Sequence, residues 1–244
     1  MYSILKKEIA HFFSSLTGYL SIGAFLLLTG LVLWIFPGDN NILDYGYSSL
    51  ESFFLMAPIL FLILIPAVTM RSFSEEKNIG TLELLMTKPL RDIDIILGKF
   101  FAALLLVMFS ILPTFIYFWS VSQLGLQPGN VDSGGVWGSY LGLFFLAATF
   151  TSIGIFASSL STNQIVSFIL SILVSTVFFW SFDIIAGFPL FQGGSDYFIQ
   201  QLGMNAHYVS ISKGVVDTRD VLYFLSIIVV FVLGTKTVLE SRKW

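Results

Sequence analysis

Hydrophobic residues fall into six long runs along the chain, and polar segments separate these runs. The runs cover residues 17–36, 50–70, 95–121, 136–158, 165–187 and 221–239. Each is close to the roughly 20 residues that an α-helix needs to cross the hydrocarbon core of a bilayer. The pattern predicts an all-α integral membrane protein, with six transmembrane helices forming a single domain over residues 1–244.

The first 16 residues show a different pattern, with apolar and polar side chains on opposite sides of a helix that turns about 100° per residue. The apolar arc holds Tyr2, Leu5, Ile9, Phe12, Phe13 and Leu16, and the polar arc holds Ser3, Lys6, Lys7, Glu8, His11, Ser14 and Ser15. This arrangement predicts an amphipathic helix that lies in the membrane interface. A secretory signal peptide is the alternative, although no small-residue cleavage site stands out.

Basic residues are distributed unevenly among the polar segments. Ten of the twelve Lys and Arg residues lie near the two termini or in the charged segment 71–99, between spans two and three. Only Lys213 and Arg219 lie elsewhere. Cytoplasmic segments of membrane proteins carry an excess of Lys and Arg. The distribution therefore predicts that both termini and the segment 71–99 face the cytoplasm.

A short helix is predicted inside the charged segment, where Gly80 and Pro89 bracket the sequence TLELLMTK. Leu82, Leu85 and Met86 have the spacing i, i+3 and i+4, so they share one face. Pro89 ends the helix, because the residue before a proline disfavours the helical conformation. Either a cytosolic partner binds this helix, or the segment is a solvated loop whose leucines rest on the lipid surface.

Small residues recur at helical spacing in spans four and five, at Gly138, Gly142, Gly154, Ser167, Ser171 and Ser175. Such stripes let helices approach closely or form hydrogen bonds across an interface. They indicate either packing within the chain or a seam that lines a path or a dimer interface.

The connection 188–220 is the longest one on the predicted outer side. Its aromatic and aliphatic residues predict short amphipathic helices that re-enter the outer interface. Asp217 and Asp220 have the spacing of a capping box at the start of span six. His207 is predicted to have a structural role.

Several kinds of chemistry are absent from the sequence. Charged residues make up 11% of the chain, against about 25% in soluble domains. The chain has no cysteine and two distant histidines, so neither thiol chemistry nor a metal centre is predicted. No P-loop motif is present, so ATP is not expected to bind here, and no nucleic-acid partner is expected.

Ionisable residues are also absent from the interiors of the first five spans, when Lys99 is counted with the charged segment and Asp183 with the outer end of span five. Ion-coupled carriers usually need such residues within the membrane. This absence disfavours a carrier driven by an ion gradient.

The stretch RSFSEEKNIGTLELLMTKPL, followed by LGKF, resembles the central loop of ABC-2 permeases, the membrane subunits of ATP-binding-cassette exporters. The resemblance covers the chain from end to end. It implies a separate ATPase subunit that binds ATP and Mg and docks on a coupling helix, and a second copy of the permease. The implied coupling residues are Glu75, Glu76, Lys77, Gly80, Thr81, Leu82, Glu83, Leu85, Met86 and Pro89.

The later stretches SKGVVDTRDVLYF and LESRKW are similar to the gliding-motility-associated permease of gliding bacteria. This narrower resemblance implies a bacterial inner-membrane complex that contains an auxiliary membrane protein with a large extracytoplasmic domain. The complex would export a substrate or do work on that partner. A membrane scaffold that passes no substrate is the main alternative, and a carrier without any ATPase is the third.

Overall fold

The computed structural model describes residues 1–44, 46–86, 91–125, 129, 131–191 and 193–241, with the backbone alone for 84–86. Within these residues all regular secondary structure is helical, which confirms the predicted all-α class. The helices are α1 (Tyr2–Ser14), α2 (Leu16–Trp34), α3 (Glu51–Thr69), α4 (Arg71–Ile79), α5 (Thr81–Met86), α6 (Asp92–Ile111), α7 (Phe115–Leu124), α8 (Ser133–Leu160), α9 (Gln164–Thr176), α10 (Phe182–Ala186), α11 (Ser195–Gln200), α12 (Met204–Ser212) and α13 (Thr218–Glu240). A 3₁₀ turn, Leu112–Thr114, joins α6 to α7, and a π-helical turn, Val177–Ser181, joins α9 to α10.

In the part of the chain that the structure describes, six helical segments are long and apolar enough to cross a membrane, as the hydrophobic pattern predicts. They are Leu16–Trp34, Glu51–Ile79, Asp92–Leu124, Ser133–Leu160, Gln164–Ala186 and Thr218–Glu240. The main difference from the prediction concerns span two. This span continues through α4 to Ile79, so the first part of the expected charged loop is a helix.

Spans two, three and four form the centre of the bundle, and spans one, five and six surround them. Most residues of the central spans are buried, whereas most residues of the outer spans are exposed or only partly buried. The exposed side chains of the outer spans are largely apolar, as expected for surfaces that contact lipid. At one end of the bundle lie α1, α4, α5 and the C-terminal end of α13; we call it the terminal face. The other end, with α11 and α12, is the opposite face.

The glycines of span four let neighbouring elements approach closely. A Cβ added at Gly154 would lie 2.9 Å from the Cβ of Thr69 in span two, and one at Gly138 would lie 2.8 Å from the Cα of Gly214. At Gly142 an added Cβ would lie 3.0 Å from the Tyr208 ring. All three glycines are therefore packed inside the single chain.

The serines of span five are also buried by the chain's own helices. Ser167 Oγ donates to Asn163 O at 3.1 Å, whereas Ser171 Oγ and Ser175 Oγ have no hydrogen-bond partner among the described residues. Together with the glycines, they agree with the packing alternative. A path-lining or dimer role for these six positions stays a prediction.

The opposite face is organised around His207, which is buried on α12. Its Nδ1 lies 2.6 Å from Asp220 Oδ1 and its Nε2 lies 2.9 Å from Gln201 O. The ring also stacks on Tyr223 with centroids 3.9 Å apart. These contacts attach the segment 195–212 to the start of span six, which agrees with the structural role predicted for His207.

The expected capping box at span six is only half formed. Asp217 accepts a hydrogen bond from Arg219 N at 2.9 Å and caps α13. Asp220 does not bond back to the cap, because its carboxylate faces His207. A contact distant in sequence therefore replaces the local bond that the spacing predicts.

Tyr208 connects the same segment to span two. Its hydroxyl donates to Phe54 O at 2.8 Å. Burial raises the pKa of the Tyr208 hydroxyl, so this group stays protonated and remains a donor.

Candidate functional site

The segment Arg71–Met86 forms two short helices at the terminal face. α4 continues span two beyond Met70, and Gly80 ends α4 in a left-handed conformation with a φ of 77°. Glycine adopts this conformation without steric cost and is the usual residue after a helix. The chain then begins α5, so Gly80 sets the angle between the two helices.

A serine at the end of span four fixes the beginning of α4. Ser158 Oγ accepts hydrogen bonds from Phe73 N at 2.9 Å and Ser74 N at 3.1 Å, and it donates to Met70 O at 2.9 Å. One buried hydroxyl thus satisfies backbone groups at the junction of α3 and α4. The Lys77 ammonium adds a hydrogen bond to Ser159 O. These contacts attach α4 to span four.

A buried cluster of charged residues attaches α4 to two further elements. Lys99 of α6 is 2% exposed, and its Nζ lies 2.9 Å from Glu8 of α1 and 3.0 Å from Glu76 of α4. The same Glu76 oxygen lies 3.5 Å from Nζ of Lys7. Lys99 Nζ also lies 5.2 Å from the ring centroid of Phe73. The interface helix, the extension of span two and the start of span three therefore share one set of ion pairs.

The cluster corrects two expectations from the sequence. Glu8 is buried against α6, although helical periodicity places it on the solvated arc of α1. Lys99 is buried inside the bundle, although it was counted with the charged segment between the spans. Each charge is stable there because oppositely charged groups from other helices surround it. In the sequence, Lys99 stands out only as a single lysine within an apolar run. Nothing in the sequence indicates that Glu8 and Glu76 are its partners.

The predicted coupling residues have different environments. Gly80, Thr81 and Glu83 are exposed, Glu75 is partly exposed, and Leu82 is buried. Glu76 and Lys77 bond within the chain, as described above. The side chains of Leu85 and Met86, and the whole of Pro89, lie outside the described residues, as do Arg242 and Lys243. Among the predicted coupling residues whose side chains the structure describes, Gly80, Thr81 and Glu83 are therefore the exposed ones.

The described residues contain no group of three or more His, Asp or Glu side chains placed to hold a metal ion. The site consists instead of helices, hydrogen bonds and ion pairs.

The chain matches the family model described as "ABC-2 family transporter protein" over residues 2–243. It belongs to the ABC-2 transporter family. This membership makes the chain a multi-pass membrane protein and a permease subunit that is not itself catalytic. It also implies an ABC ATPase as partner. No curated protein shows a significant match to this ABC-2 permease.

Proposed function

We propose that this ABC-2 permease is the membrane subunit of an ATP-driven complex, in which an ABC ATPase contacts α4 and α5 and moves spans two and three. The observation that supports the proposal is the asymmetry of the segment 71–86. One side is bonded to spans three and four, through Glu76, Lys77 and the backbone around Phe73. The other side, with Thr81 and Glu83, is exposed.

Because of this asymmetry, a movement of the ATPase would pass from the exposed side of α4 and α5 to the spans that are bonded to their other side. A partner that binds at the α4–α5 turn and changes shape when it hydrolyses ATP would push on α4. Because Glu76 and Lys99 form an ion pair at 3.0 Å, α6 would follow α4, and α1 would follow through Glu8. ATP and Mg would be bound by the ATPase, and a second permease copy would complete the path between the two protomers.

A charge reversal at the exposed surface tests the docking. We expect Glu83→Lys to reduce co-purification of the ATPase with the permease by about tenfold, since an interface charge pair contributes roughly 1.5 kcal/mol or more. Asp39→Lys is the matched control, because Asp39 is an exposed acid between spans one and two, on the opposite face. Glu76→Lys is a poor test, because it would also disrupt the ion pairs within the chain. Full ATPase association of Glu83→Lys would contradict the docking assignment.

The sequence resemblance supports a narrower assignment to the gliding-motility-associated complex of a bacterial inner membrane. In that assignment the opposite face, with α11 and α12, contacts an auxiliary membrane protein that has a large extracytoplasmic domain. Deletion of residues 195–200 should then release the auxiliary protein and leave the ATPase bound. Loss of both partners would indicate misfolding, and retention of both would contradict this assignment.

The scaffold alternative makes a different prediction. If the permease only assembles an envelope machine, an ATPase that binds ATP but cannot hydrolyse it should still support full cellular function. We expect such an ATPase variant to abolish function while the complex remains assembled. Full function with this variant would favour the scaffold.

A further inference from the structure

A cavity of about 280 Å³ lies at the terminal face, between α1, the start of α2, the α3–α4 junction and α6. Phe12, Val68 and Leu106 form part of its apolar wall, and charged residues of α1, α4 and α6 line the rest. Apolar and charged groups thus meet in one cavity, at the end of three membrane-spanning segments. This composition suits a molecule with a polar head and an apolar tail.

Most charges on the cavity wall are already neutralised within the chain. Lys99 and Lys7 are paired with Glu8 and Glu76, as described above. Two charged residues of the cavity wall, Arg71 and Glu75, have no ion-pair partner among the described residues. They lie four residues apart on α4, so they are neighbours on one side of this helix. The cavity therefore offers one positive and one negative group to a ligand.

We infer that this cavity binds the headgroup of a zwitterionic phospholipid that carries a primary ammonium. Its phosphate would bind the Arg71 guanidinium, which forms strong hydrogen bonds with phosphate oxygens. Its ammonium would donate to the Glu75 carboxylate, and the acyl chains would follow the apolar wall toward the bilayer. The inference rests on the membrane-spanning architecture and does not depend on the ATPase.

The charge pattern distinguishes this ligand from other phospholipids. An anionic lipid such as phosphatidylglycerol offers Arg71 the same phosphate, but its neutral glycerol headgroup has no cationic group to offset the Glu75 carboxylate. A lipid with a quaternary ammonium has no N–H group to donate to the carboxylate. A bound ethanolamine-type headgroup would contact α4 and lie beside α1, so it would reinforce the contact between these two helices.

Native mass spectrometry of the full-length permease in detergent tests the inference. Phosphatidylethanolamine, phosphatidylcholine and phosphatidylglycerol are added in equal amounts, and the retained lipid is measured. We expect phosphatidylethanolamine to be retained best. Water-soluble glycerophosphoethanolamine should not displace it at the same concentration, since it lacks acyl chains for the apolar wall. Displacement by this compound would mean that the site binds a soluble phosphate ester, and would overturn the assignment to a lipid.

Variants at the two unpaired charges give the sharper result. Arg71→Gln should reduce phosphatidylethanolamine retention by roughly tenfold, since a charge-assisted hydrogen bond is lost, and Arg71→Lys should keep most of it. Glu75→Gln should remove the preference for phosphatidylethanolamine over phosphatidylglycerol. Lys236→Gln is the matched control, because Lys236 is paired with Glu240 at the end of span six and does not line the cavity. It should leave lipid retention unchanged.

Three results would overturn the inference. They are equal retention of the three lipids, a preference for phosphatidylglycerol in the unaltered protein, and identical lipid retention by Arg71→Gln and Lys236→Gln. Thermal unfolding of each variant in detergent shows whether it is folded. We expect it to be nearly unchanged, since neither Arg71 nor Glu75 forms an ion pair within the described chain.

Discussion

Lys99 shows at the scale of a single residue how this permease can hold charge inside an apolar bundle. Transfer of one ammonium group from water into the interior costs several kcal/mol. Glu8 and Glu76 offset this cost from two sides, with oxygens 2.9 and 3.0 Å from the Lys99 Nζ. Because the carboxylates come from α1 and α4, the same contacts specify how these two helices are placed against span three.

Removal of the Lys99 charge should therefore be costly. We expect Lys99→Met to lower the free energy of unfolding by about 3 kcal/mol, because it leaves Glu8 buried without its counter-charge and leaves Glu76 with only the more distant Lys7. The loss should be measured by denaturant titration in detergent. The triple variant Glu8→Gln, Lys99→Met, Glu76→Gln should recover most of the loss, since the buried charges are then gone. Equal stability of the single and triple variants would contradict this account.

At the scale of one element, span four makes packing contacts at both ends of the bundle. At the terminal face its Ser158 bonds the start of α4, and at the opposite face Gly138 lies against Gly214 and the end of α12. Between them, Gly154 lies against Thr69 of span two. Small residues at these contacts allow the helices to pack closely, and this packing holds membrane helices together where hydrophobic burial cannot.

Two glycine substitutions should have opposite effects on stability. Gly154→Ala should lower the free energy of unfolding by about 1–3 kcal/mol, because its Cβ would collide with Thr69. Gly23→Ala in span one should be neutral or stabilising by up to about 1 kcal/mol, since no atom lies within 4 Å of the added Cβ and alanine favours helices over glycine. The measurement is again denaturant titration, and a stable Gly154→Ala variant would show that spans two and four can separate there.

At the scale of the whole molecule, the arrangement of the six spans gives the terminal and opposite faces different roles. The terminal face carries the buried charge cluster, the exposed α4–α5 turn and the lipid cavity. The opposite face carries α11 and α12, which His207 and Tyr208 attach to spans six and two. The excess of Lys and Arg at the terminal face predicts that this face is cytoplasmic.

Cysteine labelling tests this orientation cleanly, because the natural sequence has no cysteine. In intact cells, a membrane-impermeant maleimide that can reach the outer surface of the inner membrane should label Asp39→Cys and not Asn78→Cys. Both residues are exposed, and cells that lack the ATPase are used because the ATPase is proposed to contact α4; protection of Asn78→Cys would then reflect its side of the membrane. Permeabilised cells should show labelling at both positions. The reverse pattern would mean that the terminal face lies outside.

Several features of the molecule could be predicted from the sequence because they depend on neighbouring residues. The six spans follow from the length of the apolar runs, α1 follows from helical periodicity, and the start of α5 directly after Gly80 follows from the bracketing glycine. The α4 helix itself was missed, because its stability depends on Ser158 of span four, 85 residues away from Phe73. The capping box at Asp217 was half wrong for the same reason, since Asp220 has a partner on α12.

Hydrophobicity and helical period, which can be read along the chain, thus determined the membrane class, the number of spans and the position of the polar segments. Tertiary structure alone decided which charges far apart in the sequence are paired. Glu8 and Lys99 are 91 residues apart, and only the packing of α1 against α6 brings them together. The same packing created the cavity beside Arg71 and Glu75, which have no ion-pair partner among the described residues, because ion pairing between helices depends on distances in space and not on spacing in the sequence.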